Sequence, residues 1–394
     1  MSIGDDITLA QLEDEPDQIL ARLREEEPVS FVPALDMWLV TRWDDVAFVE
    51  AHPELFTAAT EPSFLARALG PNLLTCDPPE HTRVQKMLQP PFGAGGRSGA
   101  FVADELAALA DGFAQALPRP DGDGSFDVVA DYAQPVAAAS LAAVLGLGHH
   151  GPERMWSWCA GVCGDIANFD NDPALTEAAE IAKAELGDAI DERIAEARAA
   201  SERGEADHSA IAHFVAAGAT RDEIVNNVRL MISGGINEPA DGIGLVVWVL
   251  LTRPDLRARV DAQPRLLRRL IEEVFRVVSP VGTVTRQATR DVEVGGVTIP
   301  AGALVAGVLR SINLDESHWS RAGDIDVDRR EGPHAAFALG THRCLGEWLG
   351  RQEVKVGVER LFAAHPGLTL DPDEPVEIVG FEFRGPRSLR VRTS

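Results

Sequence analysis

The stretch Phe337-Ala338-Leu339-Gly340-Thr341-His342-Arg343-Cys344-Leu345-Gly346 decides how this chain is interpreted. It places one cysteine between two glycines, Gly340 and Gly346, which allow backbone turns and close approaches that a Cβ atom would hinder. Phe337 can pack against a flat apolar ring system, and nearby backbone N–H groups can donate hydrogen bonds to the sulfur. Such a setting suits a thiolate that ligates the iron of a haem. The alternative is a buried structural cysteine in a turn.

Composition and charge limit the class of protein. The chain has 394 residues, of which 45% are hydrophobic and 25% are charged, as expected for a globular protein with a large core. Its formal net charge of −26 would repel nucleic acid and anionic membranes, so we expect neither as a partner. The four cysteines have no paired zinc spacing and predict no disulfide framework. Because no basic segment with a following apolar run opens the chain, we expect no signal peptide and a cytoplasmic location.

Hydrophobic periodicity predicts a mainly α fold with a small β-rich part. Short strands are predicted between residues 29 and 41, between 283 and 309, and near the C-terminus, and helices over 101–252 and 344–364. We predict a single domain over 1–394 with two lobes. The β-containing lobe is mostly 1–60 and 280–335 with the C-terminal strands, and the helical lobe is mostly 85–280 and 344–365.

A long helix is predicted from a capping box at Thr220-Arg221-Asp222-Glu223 to about Thr252. Its middle reads Leu230-Met231-Ile232-Ser233-Gly234-Gly235-Ile236-Asn237-Glu238-Pro239. Two adjacent glycines thin the helix there, and Pro239 removes an N–H donor and should kink it. Because an unpaired acid in an apolar helix is unusual, Glu238 argues against a purely structural core helix.

The stretch around Cys344 resembles the haem-binding loop of cytochromes P450, which usually reads F-G-x-G-x-H/R-x-C-x-G. Phe337, Gly340, His342, Cys344 and Gly346 match this pattern, whereas Ala338 replaces the first glycine and adds one methyl group. The order of helical and β-rich parts resembles the same family over nearly the whole chain. The resemblance implies the P450 fold, a haem b (iron protoporphyrin IX) with Cys344 as its thiolate ligand, and monooxygenase activity.

The resemblance also implies contacts to the haem propionates. The segment Asp77-Pro78-Pro79-Glu80-His81-Thr82-Arg83 is similar to a family signature whose histidine usually donates a hydrogen bond to a propionate, which gives this role to His81. Gln85 stands where an arginine often occurs, and it can donate a hydrogen bond without carrying charge. Arg286 and His342 match other propionate-binding positions.

A structural network is implied next to the cysteine loop. Glu273 and Arg276 lie three residues apart on a strongly periodic helix and can pair, as in the family's E-x-x-R motif. Arg329, in the segment before the loop, fits the third position of this network. In the family, this network of three residues locks the helix beneath the haem.

The long helix departs from the family pattern, which usually carries an acid–alcohol pair that relays protons for oxygen activation. Without gaps, Asn237 takes the acid position and Glu238 the threonine position, whereas a shift of one aligns Glu238 with the acid and Pro239 with the threonine. We therefore predict Glu238 and Asn237 as catalytic residues, with Glu238 as the relay if burial raises its pKa. The missing threonine leaves three modes open: an ordinary monooxygenase fed by NAD(P)H, peroxide-driven chemistry, and a slow or non-oxygenating haem protein.

The substrate class is indicated by a weaker resemblance. The pair Glu238-Pro239, the segment Leu9-Ala10-Gln11-Leu12-Glu13 and the segment Phe383-Arg384-Gly385-Pro386 resemble bacterial P450s that O-demethylate small methoxyaromatics such as guaiacol. We therefore predict a small apolar or aromatic substrate, with hydroxylation of a terpene, steroid or polyketide as the alternative. The predicted pocket residues are Phe64, Phe169, Ile232, Gly235, Thr283, Val284 and Phe383.

The sequence shows no FAD, FMN or iron–sulfur segment of its own. We therefore expect electrons from NAD(P)H to arrive through a separate ferredoxin or an FAD/iron–sulfur reductase. A function of a different class, haem-thiolate binding or sensing without turnover, fits the same cysteine loop.

Overall fold

The computed structural model describes residues 2–118 and 124–393 of the chain. Helices dominate, as the periodicity predicts. The α-helices are α1 (Leu9–Asp14), α2 (Pro16–Glu26), α3 (Trp43–Ala51), α4 (Phe64–Leu69), α5 (Glu80–Leu88), α6 (Arg97–Asp104), α7 (Leu106–Ala116), α8 (Gln134–Leu145), α9 (Pro152–Ile166), α10 (Pro173–Glu202), α11 (Ala210–Ala216), α12 (Arg221–Thr252), α13 (Pro254–Ala262), α14 (Leu267–Val278), α15 (Leu309–Asn313) and α16 (Glu347–Ala364).

The strands are short and form one larger sheet and three small ones. They are β1 (Val29–Val32), β2 (Met37–Val40), β3 (Phe56–Thr57), β4 (Ser125–Asp127), β5 (Thr283–Ala288), β6 (Val292–Val294), β7 (Val297–Ile299), β8 (Leu304–Val308), β9 (Thr369–Leu370), β10 (Ile378–Val379), β11 (Gly385–Pro386) and β12 (Arg390–Arg392). The larger sheet has the order β1-β2-β8-β5-β3, with β2 and β8 parallel and the other pairs antiparallel.

The larger sheet pairs strands from residues 29–57 with strands from residues 283–308. In β8, Val305 pairs with Trp38 of β2 on one side and with Arg286 of β5 on the other. All five residues of β8 are buried, as expected for a central strand covered on both faces. Because β5 carries Arg286 and begins at Thr283, this register fixes where two predicted site residues lie.

Most of the predicted elements are confirmed. The capping box at Thr220 is present, and α12 runs from Arg221 to Thr252 as predicted. The helix continues through Pro239 without interruption. Sequence analysis missed the strand β4 and the short helix α15, because a three-residue strand and a five-residue helix are too short to show a periodicity.

The helical part buries a continuous core in which α12 packs against α8, α9 and α16. One segment of this core, Val128–Leu145, is long and apolar enough by composition to cross a membrane, but 67% of it is buried inside the protein. It therefore has the properties of a core helix. Two smaller apolar clusters lie on the β-rich side and include residues of β1, β2 and β8.

A buried ionic network ties α14 to the segment that leads into the cysteine loop. The carboxylate of Glu273 accepts hydrogen bonds from Arg276 Nε (3.0 Å), Arg329 Nε (3.0 Å) and the backbone N–H of Asp326 (2.9 Å). Arg276 is 1% exposed and also donates to the carbonyl of Ala322 at 2.6 Å. The structure therefore brings together the three residues that the sequence assigns to this network.

Replacing Glu273 by Gln should destabilise the protein strongly. The substitution leaves the buried guanidinium of Arg276 without a carboxylate and Arg329 with Glu331 alone, and breaking a buried pair typically costs about 3–5 kcal/mol. Urea unfolding of the purified protein measures this loss. The matched control is Glu205→Gln, whose partner Arg203 lies on the surface, and it should leave the midpoint unchanged. Equal midpoints for the two variants would contradict the role given to the network.

Candidate active site

A cavity of about 340 Å³ lies where α12, the cysteine loop, β5 and the C-terminal segment meet. This volume is within the roughly 300–1,000 Å³ that is usual for ligand sites. Its wall is mostly apolar. The predicted site residues in it are Phe64, Phe169, Gly235 and Glu238 from the helical part, Thr283, Val284 and Arg286 from β5, and His81, Phe337, His342, Cys344, Gly346 and Phe383.

The cysteine loop is held in shape by its own backbone. The N–H of Cys344 donates to the carbonyl of Phe337 at 2.9 Å, which closes the loop. Gly340 has a φ of +64°, and a Cβ atom there would lie 2.6 Å from the carbonyl oxygen of Glu50 in α3. Ala338 also has a positive φ, of +60°, which glycine adopts more easily. The replacement of the family's first glycine by Ala338 therefore adds backbone strain as well as a methyl group.

The sulfur of Cys344 faces the cavity. Cys344 retains accessible surface although it lies deep in the protein, and it belongs to the cavity wall. Burial raises the pKa of this thiol to about 11, while a hydrogen bond from the N–H of Gly346 acts in the opposite direction. A bound metal ion deprotonates such a thiol, so iron ligation would account for a thiolate here.

One end of the cavity gathers nitrogen donors. The rings of His81 and His342 meet edge to face, with centroids 4.3 Å apart, and Arg286 lies in the same wall. Among the described residues, His81 Nδ1 and both ring nitrogens of His342 have no hydrogen-bond partner. Burial, together with the positive charge of Arg286 and the proximity of His81, lowers the pKa of His342 to about 3.

This donor cluster lacks sufficient negative charge of its own. Glu50 binds Arg286 Nη2 at 2.7 Å, and Asp77 acts on His81 only at longer range, so in the described chain no acid accepts a hydrogen bond from His81 Nδ1 or from the His342 ring. Buried donors of this kind call for acceptors, and carboxylates of a bound group would supply them. A thiol and a carboxylate-binding cluster on one apolar cavity fit an iron porphyrin with two propionates. His81, His342 and Arg286 would hold the propionates, and Cys344 would ligate the iron.

The α12 wall presents Glu238 to the same cavity. A Cβ atom on Gly234, one turn earlier, would lie 3.8 Å from Glu238 Oε1, so the carboxyl folds back over the glycine pair. Its Oε2 has no hydrogen-bond partner among the described residues. Burial raises the pKa of Glu238 to about 8, and the nearby acids Asp241 and Glu382 add to the shift. Glu238 is therefore protonated at neutral pH.

Four predicted site residues lie outside the cavity wall formed by the described chain: Ile232, Asn237, Gln85 and Gly340, of which Gly340 shapes the cysteine loop. On α12, the wall is formed by Asn227, Leu230, Met231, Ser233, Gly234, Gly235, Glu238 and Pro239. Ile232 is fully buried in the core and does not line this cavity, so the structure does not support its predicted substrate contact. Asn237 does not line the cavity either and donates to Asp241 Oδ2 at 3.2 Å, which does not support a direct catalytic role. Gln85, half-buried on α5, does not reach the cavity.

The predicted aromatic residues do come together. Phe64 and Phe169 pack edge to face with centroids 5.3 Å apart, and Phe383 lies in the same wall. Thr283 and Val284 enter from β5. Met231 and Leu230 add apolar surface from α12. The site therefore offers a substrate a mostly aromatic and aliphatic environment.

Sequence reasoning missed two acids that shape the site. Glu382 lines the cavity and accepts from Thr283 Oγ1 at 2.6 Å, and burial raises its pKa to about 7. An acid between two phenylalanines near the C-terminus was the only available signal. Glu50 is 5% exposed, and its partner Arg286 lies 236 residues away. No local pattern indicates a pairing over such a distance.

Comparison with known proteins gives a consistent result. A family model described as Cytochrome P450 matches residues 165–365. The mycinamicin IV hydroxylase/epoxidase of Micromonospora griseorubida is 32% identical over 386 residues, covering 94% of this chain and 93% of that protein. The vitamin D(3) 25-hydroxylase of Pseudonocardia autotrophica is 29% identical, covering 90% and 87%.

Solved structures share the fold along nearly the whole chain. The ligand-free cytochrome P450 TbtJ1 superposes with a TM-score of 0.85 at 25% identity, covering 97% of this chain and 99% of the other. A post-tailoring hydroxylase involved in himastatin biosynthesis superposes with a TM-score of 0.80 at 26% identity, covering 97% and 98%.

Replacing Gly340 by Ala should disrupt the cysteine loop. The new methyl group would meet the carbonyl of Glu50 at 2.6 Å in a left-handed backbone conformation that costs about 1–2 kcal/mol for a residue with a Cβ. We expect a lower melting temperature and a smaller fraction of protein that retains haem, measured by thermal unfolding and by the ratio of haem to protein absorbance. Gly148→Ala is the control, because open space surrounds Gly148. A Gly340→Ala protein with full haem content and unchanged melting would show that the loop does not need this glycine.

Proposed function

The chain belongs to the cytochrome P450 family and is a monooxygenase, and from this we propose that it O-dealkylates a small aromatic ether. The observation that carries the proposal is a compact, aromatic-lined cavity whose wall holds both Cys344 and Glu238. Bound haem iron supplies the activation of O₂ and the insertion of one oxygen atom into a C–H bond.

The cavity wall supports an aromatic substrate. Phe64, Phe169 and Phe383 provide ring edges and faces, against which a substrate ring can pack with centroids about 4.5–7 Å apart. Glu238 and Glu382 disfavour a fatty acid, because they offer its carboxylate no cation, and burying an unpaired carboxylate costs desolvation energy. A neutral ether with one ring does not meet this objection.

The reaction consumes O₂ and two electrons from NAD(P)H. Hydroxylation of the O–CH₃ carbon gives a hemiacetal, which loses formaldehyde and leaves a phenol, while the second oxygen atom leaves as water. Orientation by the aromatic wall places the methoxy group rather than the ring towards the haem iron. Exclusion of bulk water by the apolar wall limits wasteful release of reduced oxygen.

Glu238 is the proposed proton donor. Its carboxyl faces the cavity, lacks a hydrogen-bond partner at Oε2 and has a pKa of about 8, so it holds a proton at neutral pH and can release it. Asn237 does not line the cavity within the described chain, so the acid–alcohol pair of the family reduces here to one carboxyl group. We further propose a cytoplasmic protein that receives its electrons from a separate ferredoxin or an FAD/iron–sulfur reductase.

A second candidate reaction is hydroxylation of a terpene, steroid or polyketide. It is favoured by the names of the relatives, which specify hydroxylation and epoxidation. The two candidates make different demands on the cavity, because a bulkier substrate needs more of its volume than an ether with one ring.

An optical titration of the ferric protein separates these candidates. We expect methoxyaromatics to shift the haem spectrum from low to high spin, and formaldehyde to appear on supply of reductase and NAD(P)H. A shift with terpenes, steroids or polyketides alone would favour the hydroxylase. Product formed with hydrogen peroxide but never with reductase would identify peroxide-driven chemistry. Spectral shifts without turnover under either condition would indicate a haem-thiolate binding protein.

Replacing Glu238 by Gln should uncouple electron use from product formation. Glutamine keeps the shape of the side chain but cannot release a proton, so we expect product per NAD(P)H to fall about 10²-fold or more and peroxide release to rise. Asp241→Asn is the control, because Asp241 is a second buried acid on α12 that lies outside the described cavity wall. Unchanged coupling in Glu238→Gln, or equal loss in both variants, would rule out a specific relay at Glu238.

A further inference from the structure

Three buried acids, Glu238, Glu353 and Glu382, belong to the cavity wall, and two of them lie close to each other. Glu238 reaches the cavity from α12 and Glu382 from the C-terminal segment. Glu382 Oε2 accepts from the hydroxyl of Thr283 at 2.6 Å, and Glu238 Oε2 has no partner in the described chain. The two carboxyl groups are close enough that Glu382 contributes to the raised pKa of Glu238.

The described residues offer these acids no positive counterpart. Of the arginines in the cavity wall, Arg286 pairs with Glu50 at 2.7 Å, and Arg343 pairs with Glu347 at 2.9 Å. The Asn227 amide is also occupied, because its oxygen accepts from the N–H of Leu73 and its nitrogen donates to the carbonyl of Glu223. Thr283 supplies a neutral hydroxyl only. The acids therefore face the substrate space without a cation.

Buried acids without a cation are unfavourable unless something else compensates them. Ionising either group in an apolar cavity costs desolvation energy, which a nearby positive charge offsets. Aromatic rings in the same wall can also attract a cation, as the Phe64 ring does with the guanidinium of Arg67 at 5.0 Å. The formal net charge of −26 favours the approach of cations to the protein as a whole.

We propose that the site selects substrates that carry a cationic nitrogen beside their aromatic or apolar body, with Glu382 as the countercharge and Glu238 remaining the protonated acid. This inference rests on the proposed function, since it names the substrate class of the same cavity. It assigns Glu382 as a specificity-determining residue that Thr283 holds in position. Raised pKa values of about 7 for Glu382 and about 8 for Glu238 are the expected state of such a site before its cation arrives.

The test compares two ligands of one shape on the haem-loaded wild-type protein. Para-methoxybenzyl trimethylammonium carries a permanent charge and cannot ligate iron, and para-neopentylanisole is its neutral isostere with carbon in place of nitrogen. We expect the ammonium compound to bind at least about tenfold more tightly, measured by the spin-state titration and by calorimetry. Equal affinities, or tighter binding of the neutral isostere, would overturn the proposal without using any variant.

Variants then locate the charge that is responsible. Glu382→Gln should reduce the preference for the ammonium compound to about twofold while the neutral isostere binds as before. Glu13→Gln is the matched control, because Glu13 interacts electrostatically with Glu382 but lies on the surface and outside the cavity wall of the described chain. A preference that survives Glu382→Gln unchanged, or that falls equally in Glu13→Gln, would remove Glu382 from this role.

Failure of this inference is distinguishable from failure of the proposed function. Absence of a haem spectrum, or of turnover with every aromatic ether, contradicts the proposed function. A normal haem spectrum and formaldehyde release from neutral ethers, with no preference for the ammonium compound, contradicts the cation proposal alone. Para-methoxyphenylacetate should bind more weakly than the neutral isostere, and tighter binding of this anion would also overturn the proposal.

Discussion

The carboxylate of Glu273 is the interaction on which the position of the cysteine loop depends. It accepts from Arg276 on its own helix, from Arg329 in the preceding segment and from the backbone of Asp326. The segment before the loop has little regular structure, so its position is fixed by hydrogen bonds to a buried carboxylate and not by strand pairing. Because Cys344 follows this segment, the network sets where the sulfur enters the cavity.

The cysteine loop, the helices and the ionic network could be predicted from the sequence, because each depends on a local signal. Each of these features is made of residues only a few positions apart: Cys344 with its flanking glycines, the capping box at Thr220, and the pair Glu273–Arg276. The roles of individual wall residues were harder to predict. Ile232 and Asn237 differ from Met231 and Glu238 by one position each, and one position rotates a side chain by about 100° around a helix. Only the packed structure decides which of them faces the cavity.

Nitrogen donors and carboxyl groups occupy different parts of the cavity wall. Nitrogen donors from His81, His342 and Arg286 gather at one end, and the carboxyl groups of Glu238 and Glu382 face the other part. The first group is suited to the acidic side chains of a porphyrin, and the second is suited to a substrate. The acids of the second group come from α12 and from the C-terminal segment, so substrate preference can change without altering the cofactor cluster.

Glu50 makes two contacts at the site: its side chain pairs with Arg286, and its backbone carbonyl packs against Gly340. Glu50 lies more than two hundred positions before both Arg286 and Gly340, so these contacts close a very long loop. Such contacts form late in folding, after local helices are already in place. A ribosome that is still making the last quarter of the chain therefore presents a protein with most of its helices and no complete porphyrin site. The complete set of cofactor contacts therefore exists only after the segment that carries Gly340 and Cys344 has been made.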